Sequence, residues 1–247
     1  MQKFFVENNQ IENKQIIIIG EDVKHISNVL RMQKNDELQI CNKTTCENYL
    51  VKIIEFQKDK VITEIIEKVD SNIESNVQID LYQGLPKADK MELIIQKTVE
   101  IGVNKIIPVD MLRCVVKLDD KEAKKKIERW QKISEGAAKQ SKRDIIPQIE
   151  DKIKLNTVIQ RIKDYDKFFV AYEDEEECKL KYELKKINEN EKIKIGILIG
   201  PEGGLDNNEI EKLKQNGAKI VSLGKRILRT ETAPIVMISN IIYELEK

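Results

Sequence analysis

The pattern of apolar and polar residues changes near residue 77. Upstream, stretches of strand length follow one another with short polar turns between them, at 37–42, 47–56 and 60–69. Consecutive short strands with tight connections favour a small β-barrel. Downstream, strands alternate with helices, which predicts a mostly parallel sheet with helices on both faces. With the polar stretch 70–76 as a linker, we expect an α/β protein with a β-barrel domain at residues 1–70 and an α/β domain at 71–247.

Two helices of the second domain carry clear start signals. Asp89 stands in the N-cap position of one helix, with Glu92 three residues later, and Gly102 can supply the left-handed stop. Asp206 and Glu209 form the same pair before a second helix. The other elements rest on periodicity and apolar runs: helices over 25–32, 119–142 and 233–246, and strands over 16–19, 77–85, 104–110, 167–172, 192–200 and 219–224.

Composition narrows the class of protein. The chain has 247 residues, of which 40% are hydrophobic and 35% charged, a normal globular balance. No apolar run approaches the roughly 20 residues of a membrane span, and the first ten residues do not resemble a signal peptide. We therefore expect a soluble cytoplasmic protein. The formal net charge of zero means that any nucleic-acid binding must come from a local basic patch.

The residues that bind metals or act as nucleophiles are sparse. The four cysteines, at 41, 46, 114 and 178, form no C-x-x-C pair, so reduced thiols are expected rather than a zinc site. His25 is the single histidine, which excludes multi-histidine metal sites and disfavours a Ser-His-Asp hydrolase. We expect no metal, and any proton transfer must use carboxylates, lysine, tyrosine or water.

Two glycine-containing segments near the C-terminus are candidates for a ligand site. The first, 199-IGPEGGL-205, lies between a predicted buried strand and a capped helix, where open α/β sheets bind ligands. Gly203 and Gly204 allow positive φ and close backbone approach, while Pro201 stiffens the entry. Neither the phosphate-loop nor the dinucleotide pattern is present. From this segment alone, a structural turn explains the residues equally well.

The second segment, 223-LGKRILRTETA-233, follows the next strand. Gly224 opens a tight loop, and Arg226 and Arg229 place two cations beside it. A surface turn with solvated charges is the alternative interpretation. Both segments follow adjacent parallel strands, so both should border one pocket.

Together these segments resemble the cofactor-binding pair of the SPOUT methyltransferases, and within them the ribosomal RNA small subunit methyltransferase E family. The resemblance continues over most of the chain in the same order, at 25-HISNVLRM-32, 84-GLPKADKMELIIQKTVEIGVNKIIPV-109, 113-RCVVK-117, 129-RW-130 and 137-AAKQSKRDIIPQI-149. One departure is Lys139, because the family usually has Glu before the Gln-Ser pair.

The resemblance implies a PUA-like β-barrel followed by a SPOUT α/β domain with a C-terminal deep trefoil knot. It implies S-adenosyl-L-methionine as cofactor, bent within the knot, with its adenine enclosed by the backbone of three loops. The residues expected to bind it are Tyr172, Glu173, Ile199, Gly200, Pro201, Gly203, Gly204, Leu223, Gly224, Ile227, Leu228 and Thr232.

The implied reaction is methylation of N3 of one uridine in the decoding region of 16S ribosomal RNA. N3 carries a proton, so the site needs a base or a cation that stabilises the N3 anion. Arg229 is the leading candidate for the cation. Glu231 and Glu202 are candidates for accepting the proton or orienting Arg229, although helix capping or loop hydrogen bonds explain either carboxylate equally well.

The implied partners are a second copy of the chain and 16S ribosomal RNA, in the 30S subunit or its late precursor. The apolar face of the predicted last helix fits a dimer contact, and equally core packing within one subunit. The residues assigned to RNA binding are Lys3, Arg31, Lys87, Lys90, Arg113, Lys142 and Arg143. A solvated surface charge is the alternative for each of them.

Two other functions stay open at this point. A knotted methyltransferase that modifies ribose 2′-oxygens is one, although the segments 86–97 and 137–143 and the β-rich N-terminal part favour the base methylase. A ribosome-binding protein without turnover is the other, and the intact glycine loops and Arg229 weigh against it.

Overall fold

The computed structural model describes residues 1–187 and 192–246, which fold into two compact units. The first consists of residues 1–74 and 138–146, and the second of residues 75–137 and the described residues from 147 onward. The first segment of the first unit ends at residue 74, four residues after the domain boundary expected at residue 70. The first unit also takes in a short segment from the middle of the chain, which no local pattern could indicate.

The first unit is built on a mixed sheet with the strand order β1-β4-β5-β6-β3-β2. Its strands are β1 (Lys3–Val6), β2 (Ile11–Glu12), β3 (Gln15–Ile19), β4 (Glu37–Asn42), β5 (Asn48–Phe56) and β6 (Lys60–Val69). β1 pairs with β4 in parallel, and the other pairs are antiparallel. Alternate residues of these strands point into one core, as the period of two requires.

A short helical stretch follows β3. It consists of α1 (Glu21–Lys24) and one π-helical turn at His25–Val29. A separate 3₁₀ turn at Asn8–Gln10 lies between β1 and β2. The helix predicted over 25–32 is therefore present, but it begins earlier and ends earlier. Val23 and Ile26 anchor it to the core of the sheet.

The second unit contains a parallel sheet with the order β10-β8-β7-β12-β11-β13, and β9 pairs with β8. Its strands are β7 (Val77–Gly84), β8 (Lys105–Asp110), β9 (Gln148–Ile149), β10 (Ile153–Lys154), β11 (Lys167–Ala171), β12 (Ile193–Ile199) and β13 (Lys219–Val221). Every described pair in this sheet is parallel. The predicted α/β architecture is confirmed.

The helices of this unit are α2 (Lys90–Ile101), α3 (Asp120–Gln140), α4 (Leu155–Arg161), α5 (Leu180–Leu184), α6 (Asn207–Gln215) and α7 (Thr232–Leu245), with a 3₁₀ turn at Ile162–Asp164. The last three residues of α3 belong to the first unit. In the described part of the chain, none of the helices is long and apolar enough to cross a membrane.

The two capping predictions have different outcomes. Asp206 caps α6 through a full capping box: its side chain accepts from Asn208 N at 3.0 Å, and Glu209 Oε2 accepts from Asp206 N at 3.0 Å. Asp89 does occupy the N-cap position of α2, but its side chain makes no capping hydrogen bond. Gly102 ends α2 at φ +125°, as expected.

The sheet order brings the loops of interest to one edge. β12 lies between β7 and β11, and β13 pairs with the other side of β11. Because these strands are parallel, their carboxyl ends share one edge, where ligands of open α/β sheets bind. The segments that leave this edge are 172–173, 200–206 and 222–231.

Candidate active site

A cavity of about 410 Å³ opens at the carboxyl ends of β11, β12 and β13, a volume within the range of small-molecule sites. Most of the residues expected to bind the cofactor line it, namely Tyr172, Glu173, Ile199, Gly200, Pro201, Gly204, Leu223, Gly224, Ile227 and Leu228. The three loops come from separate parts of the chain, as expected from their positions after adjacent strands.

Two of the expected cofactor residues lie outside the lining. Gly203 faces Arg113, whose Cβ lies 3.1 Å from the position that a Gly203 Cβ would occupy. The carbonyl of Gly203 accepts a hydrogen bond from Arg113 Nη1 at 3.2 Å. Thr232 begins α7, and its N–H donates to Arg229 O at 2.8 Å. We therefore leave Gly203 and Thr232 out of the proposed contacts.

Thr230 joins the two glycine segments. Its buried hydroxyl donates to Gly200 O at 2.7 Å and accepts from Gln83 Nε2 at 3.1 Å. One side chain from the second segment thereby fixes the first segment and the end of β7. No local pattern indicates this linking role of Thr230, because it depends on a contact across 30 residues.

Glycine is required at two of these close approaches. A Cβ on Gly84 would lie 2.7 Å from both Cδ and N of Pro201, so any larger residue would push the 200–205 loop away from β7. Gly204 adopts φ +67°, a conformation that side-chain-bearing residues rarely adopt, and a Cβ there would also displace the Glu173 side chain. The absence of side chains at these points lets the loops approach each other at the cavity wall.

A cluster of three charged side chains lies at one side of the cavity, and Lys90 and Glu202 of this cluster line it. Lys90 Nζ lies 3.0 Å from Glu202 Oε1 and 3.2 Å from Glu231 Oε2. Glu202 Oε1 also accepts from Lys87 N at 3.0 Å. Lys90, which we expected to contact RNA phosphate, thus lies in the cavity between the two candidate carboxylates.

Hydrogen bonds keep Lys90 and Glu202 charged. The hydrogen bond to Glu202, which outweighs partial desolvation, raises the pKa of Lys90. Burial by itself would raise the pKa of Glu202, but hydrogen bonds from the Lys87 backbone, its own backbone and Lys90 lower it overall. Glu202 is therefore an ionised carboxylate and a weak proton acceptor.

Arg229 lies at the mouth of the cavity. Its side chain is 83% exposed, and Nη1 lies 3.9 Å from Glu231 Oε1. Such a distance leaves the guanidinium able to turn towards a substrate. Lys225 and Arg226 also line the cavity, so its rim is cationic while its wall carries carboxylates.

The expected RNA-binding residues have different surroundings. Lys3 is 3% exposed and pairs with Asp144, and Arg143 is 4% exposed and pairs with Glu74 at 2.6 Å. Both cations are neutralised inside the first unit, so we exclude them from the proposed RNA surface.

Other members of that set are accessible. Arg31, Lys87 and Lys142 are exposed. Arg113 is half-exposed and pairs with Asp206 at 3.1 Å. Lys139 stands where the family usually has Glu. Its ammonium pairs with the Asp22 carboxylate at 2.8 Å, so a neighbouring negative charge balances the lysine.

Comparison with known proteins agrees with this architecture. A family model for an RNA methyltransferase domain matches residues 73–242, and one for an RNA methyltransferase PUA domain matches residues 18–66. The second unit, with its cavity at the strand ends, therefore has the fold of an RNA methyltransferase, and a PUA-like domain precedes it.

Individual relatives show which family of RNA methyltransferases the chain resembles. The chain is 41% identical to ribosomal RNA small subunit methyltransferase E of Bacillus subtilis, over 100% of this chain and 98% of the relative. It is 34% identical to the enzyme of the same name from Mesomycoplasma hyopneumoniae, over 98% and 99%. A crystal structure of ribosomal RNA small subunit methyltransferase E from Neisseria gonorrhoeae, bound to S-adenosyl methionine, superposes with a TM-score of 0.86 at 29% identity, covering 98% of this chain and 97% of that one. The chain belongs to the ribosomal RNA small subunit methyltransferase E family.

Proposed function

We propose that this protein is an S-adenosylmethionine-dependent methyltransferase that methylates N3 of one uridine in the decoding region of 16S ribosomal RNA. The observation that carries the proposal is the cavity at the ends of β11, β12 and β13, which is lined by Lys90, Glu202 and the exposed Arg229. Glu231 pairs with both Lys90 and Arg229 of this lining. The family membership of the chain supports the same reaction.

The residues of the cavity fit S-adenosylmethionine. Leu223, Ile227 and Leu228 offer apolar surface beside glycine backbone, which suits a flat purine. Glu173 brings a carboxylate for a cationic group, and Lys225 and Arg226 bring cations for a carboxylate. This donor set matches a ligand that carries charges of both signs. When bound, the cofactor supplies an electrophilic methyl group on a sulfonium.

The protein's own residues would align the uridine and manage its N3 proton. An attack on a methyl group gains mainly from alignment and from fixed charges. Arg229 would bind the ring carbonyls, on which the charge of the N3 anion spreads. Glu231 or Glu202 would accept the proton, and Glu231 is favoured because hydrogen bonds make Glu202 a weak acceptor.

The remaining features of the family belong to the same proposal. They are a C-terminal trefoil knot, a homodimer, and a substrate in the 30S subunit or its late precursor, which would place the activity in the cytoplasm. We also keep the domains at 1–70 and 71–247 as the proposed functional division. RNA would be bound by exposed cations such as Arg31, Lys87 and Lys142, so its affinity should fall steeply as salt is added.

The proposal is tested by incubating the purified protein with S-adenosylmethionine and either naked 16S ribosomal RNA or 30S subunits that lack the modification. Nucleosides from the digested RNA are then separated and identified by mass spectrometry. We expect N3-methyluridine at one position, from at least one of the two substrates. Methylation of ribose, or cofactor binding without any methylated product, would contradict the proposal.

A further inference from the structure

We propose that Lys90 is a positioning residue of the methyl-transfer site, which holds Glu231 as the proton acceptor and uses Glu202 as its own anchor. This assignment rests on the proposed function and deepens it, because it separates the roles of the two carboxylates. It also moves Lys90 from the set of RNA-binding cations to the centre of the site.

The contacts distinguish the two carboxylates. Glu202 Oε1 accepts from both Lys87 N and Lys90 Nζ, each at 3.0 Å, so this oxygen is tied to the start of α2. Glu231 touches Lys90 through Oε2 at 3.2 Å, and its Oε1 faces Arg229 at 3.9 Å. Glu231 therefore keeps one oxygen directed to the cation at the mouth of the cavity, where a uridine base would enter.

Burial makes the ammonium necessary. The Glu231 side chain is 14% exposed and that of Glu202 is 23% exposed. Two carboxylates around one point, shielded from water, repel each other unless a cation lies between them. Lys90 is that cation, with a side chain that reaches from the first turn of α2.

The other charged groups around Glu231 belong to three segments of the chain. Arg229 precedes Glu231 on its own segment, and Lys90 and Glu202 face it from α2 and from the 200–205 loop. Glu173, Lys225 and Arg226 complete the charged lining. Among these, Lys90 is within 3.2 Å of both carboxylates.

The proposed step is a proton transfer. The N3–H bond of uridine breaks, an O–H bond forms at Glu231, and the electron pair left on N3 becomes available for the transferred methyl group. Lys90 does not change its own protonation state. It holds the Glu231 carboxylate in place through the contact at 3.2 Å.

The test is Lys90→Met, assayed for methylation across a range of pH, together with direct calorimetry of S-adenosylmethionine binding. Without the shared cation, the pKa of Glu202 rises, because Lys90 helps to lower it, and nothing offsets the repulsion between the two carboxylates. We therefore expect kcat to fall about 10- to 100-fold and the acidic limb of the pH profile to move to higher pH. The affinity for the cofactor should stay within about twofold. Lys90→Arg should restore much of kcat and the original pH profile.

The matched control is Lys97→Met on the same helix. Lys97 pairs with Glu100 at 3.0 Å, at the surface, so this variant should methylate as the wild type does. The assignment of Lys90 is wrong if Lys90→Met keeps the wild-type kcat and pH profile, or if it loses cofactor binding in proportion to activity. Failure of the proposed function has a different signature, because the wild type itself would then give no methylated uridine.

Discussion

Replacing Thr230 by Val should weaken cofactor binding although Thr230 need not touch the cofactor. Valine has nearly the shape of threonine but lacks the hydroxyl. The substitution removes the hydrogen bond to Gly200 O at 2.7 Å and the one from Gln83 Nε2 at 3.1 Å, both of which are buried. The 200–205 loop would lose its tie to the second glycine segment, and both segments border the cavity.

The magnitude follows from these two bonds. A buried group left without its partner costs about 1–3 kcal/mol. Gln83 Nε2 keeps a second bond to Gly84 O at 3.0 Å, so the carbonyl of Gly200 carries most of the loss. We expect a decrease of about 2 kcal/mol in the free energy of unfolding. If about 1.4 kcal/mol of this loss disfavours the loop conformation that binds the cofactor, the affinity for S-adenosylmethionine falls about tenfold.

Calorimetric titration with S-adenosylmethionine and urea unfolding measure the two effects. Thr230→Ser keeps the hydroxyl and should retain most of the affinity. Thr98→Val is a second control, because Thr98 is also buried but donates to Ile94 O within α2, and it should leave the affinity unchanged. Unaltered cofactor affinity in Thr230→Val, with the protein folded, would refute the role of this link.

Three further substitutions test other parts of the account. Gly84→Ala places a Cβ 2.7 Å from Pro201 and should lower the cofactor affinity, measured by calorimetry, at least about tenfold. Gly136→Ala is the control, because a Cβ there would have nothing within 4 Å. Equal affinities of the two variants would contradict the close approach of Gly84 and Pro201. Lys3→Met leaves Asp144 buried without its cation and should lower the free energy of unfolding, measured by urea titration, by about 3–5 kcal/mol. A loss under about 1 kcal/mol, typical of a surface pair, would argue against a buried pair. Arg229→Ala should abolish methylation while cofactor affinity stays intact, and unchanged methylation would remove Arg229 from the mechanism.

Local patterns predicted the elements that are long or clearly capped. β6 has the bounds expected from its length and its flanking polar turns, and the capping box at Asp206 and Glu209 starts α6 as expected. The elements that were not predicted are short: β1, β2, β9, β10, α4 and α5. Two to seven residues are too few to show a period, and tertiary contacts decide their conformation.

The loops of the site could be found from sequence because glycine, proline and their place after strands are local features. The surroundings of basic residues could not. Lys3 is neutralised by Asp144, which lies 141 residues away, and Arg143 by Glu74. Lys90 likewise belongs to the cavity only because α2 begins beside the 200–205 loop. Whether a lysine serves RNA, the core or catalysis depends on these distant partners.

The most direct test of the central claim is mass spectrometry of small-subunit ribosomal RNA from cells that lack this protein. The account predicts that one methyl group on N3 of a single uridine is missing, that the wild-type gene restores it, and that the Arg229→Ala variant does not. An unchanged set of methylated nucleosides, or the loss of a ribose methyl group instead, would contradict the account.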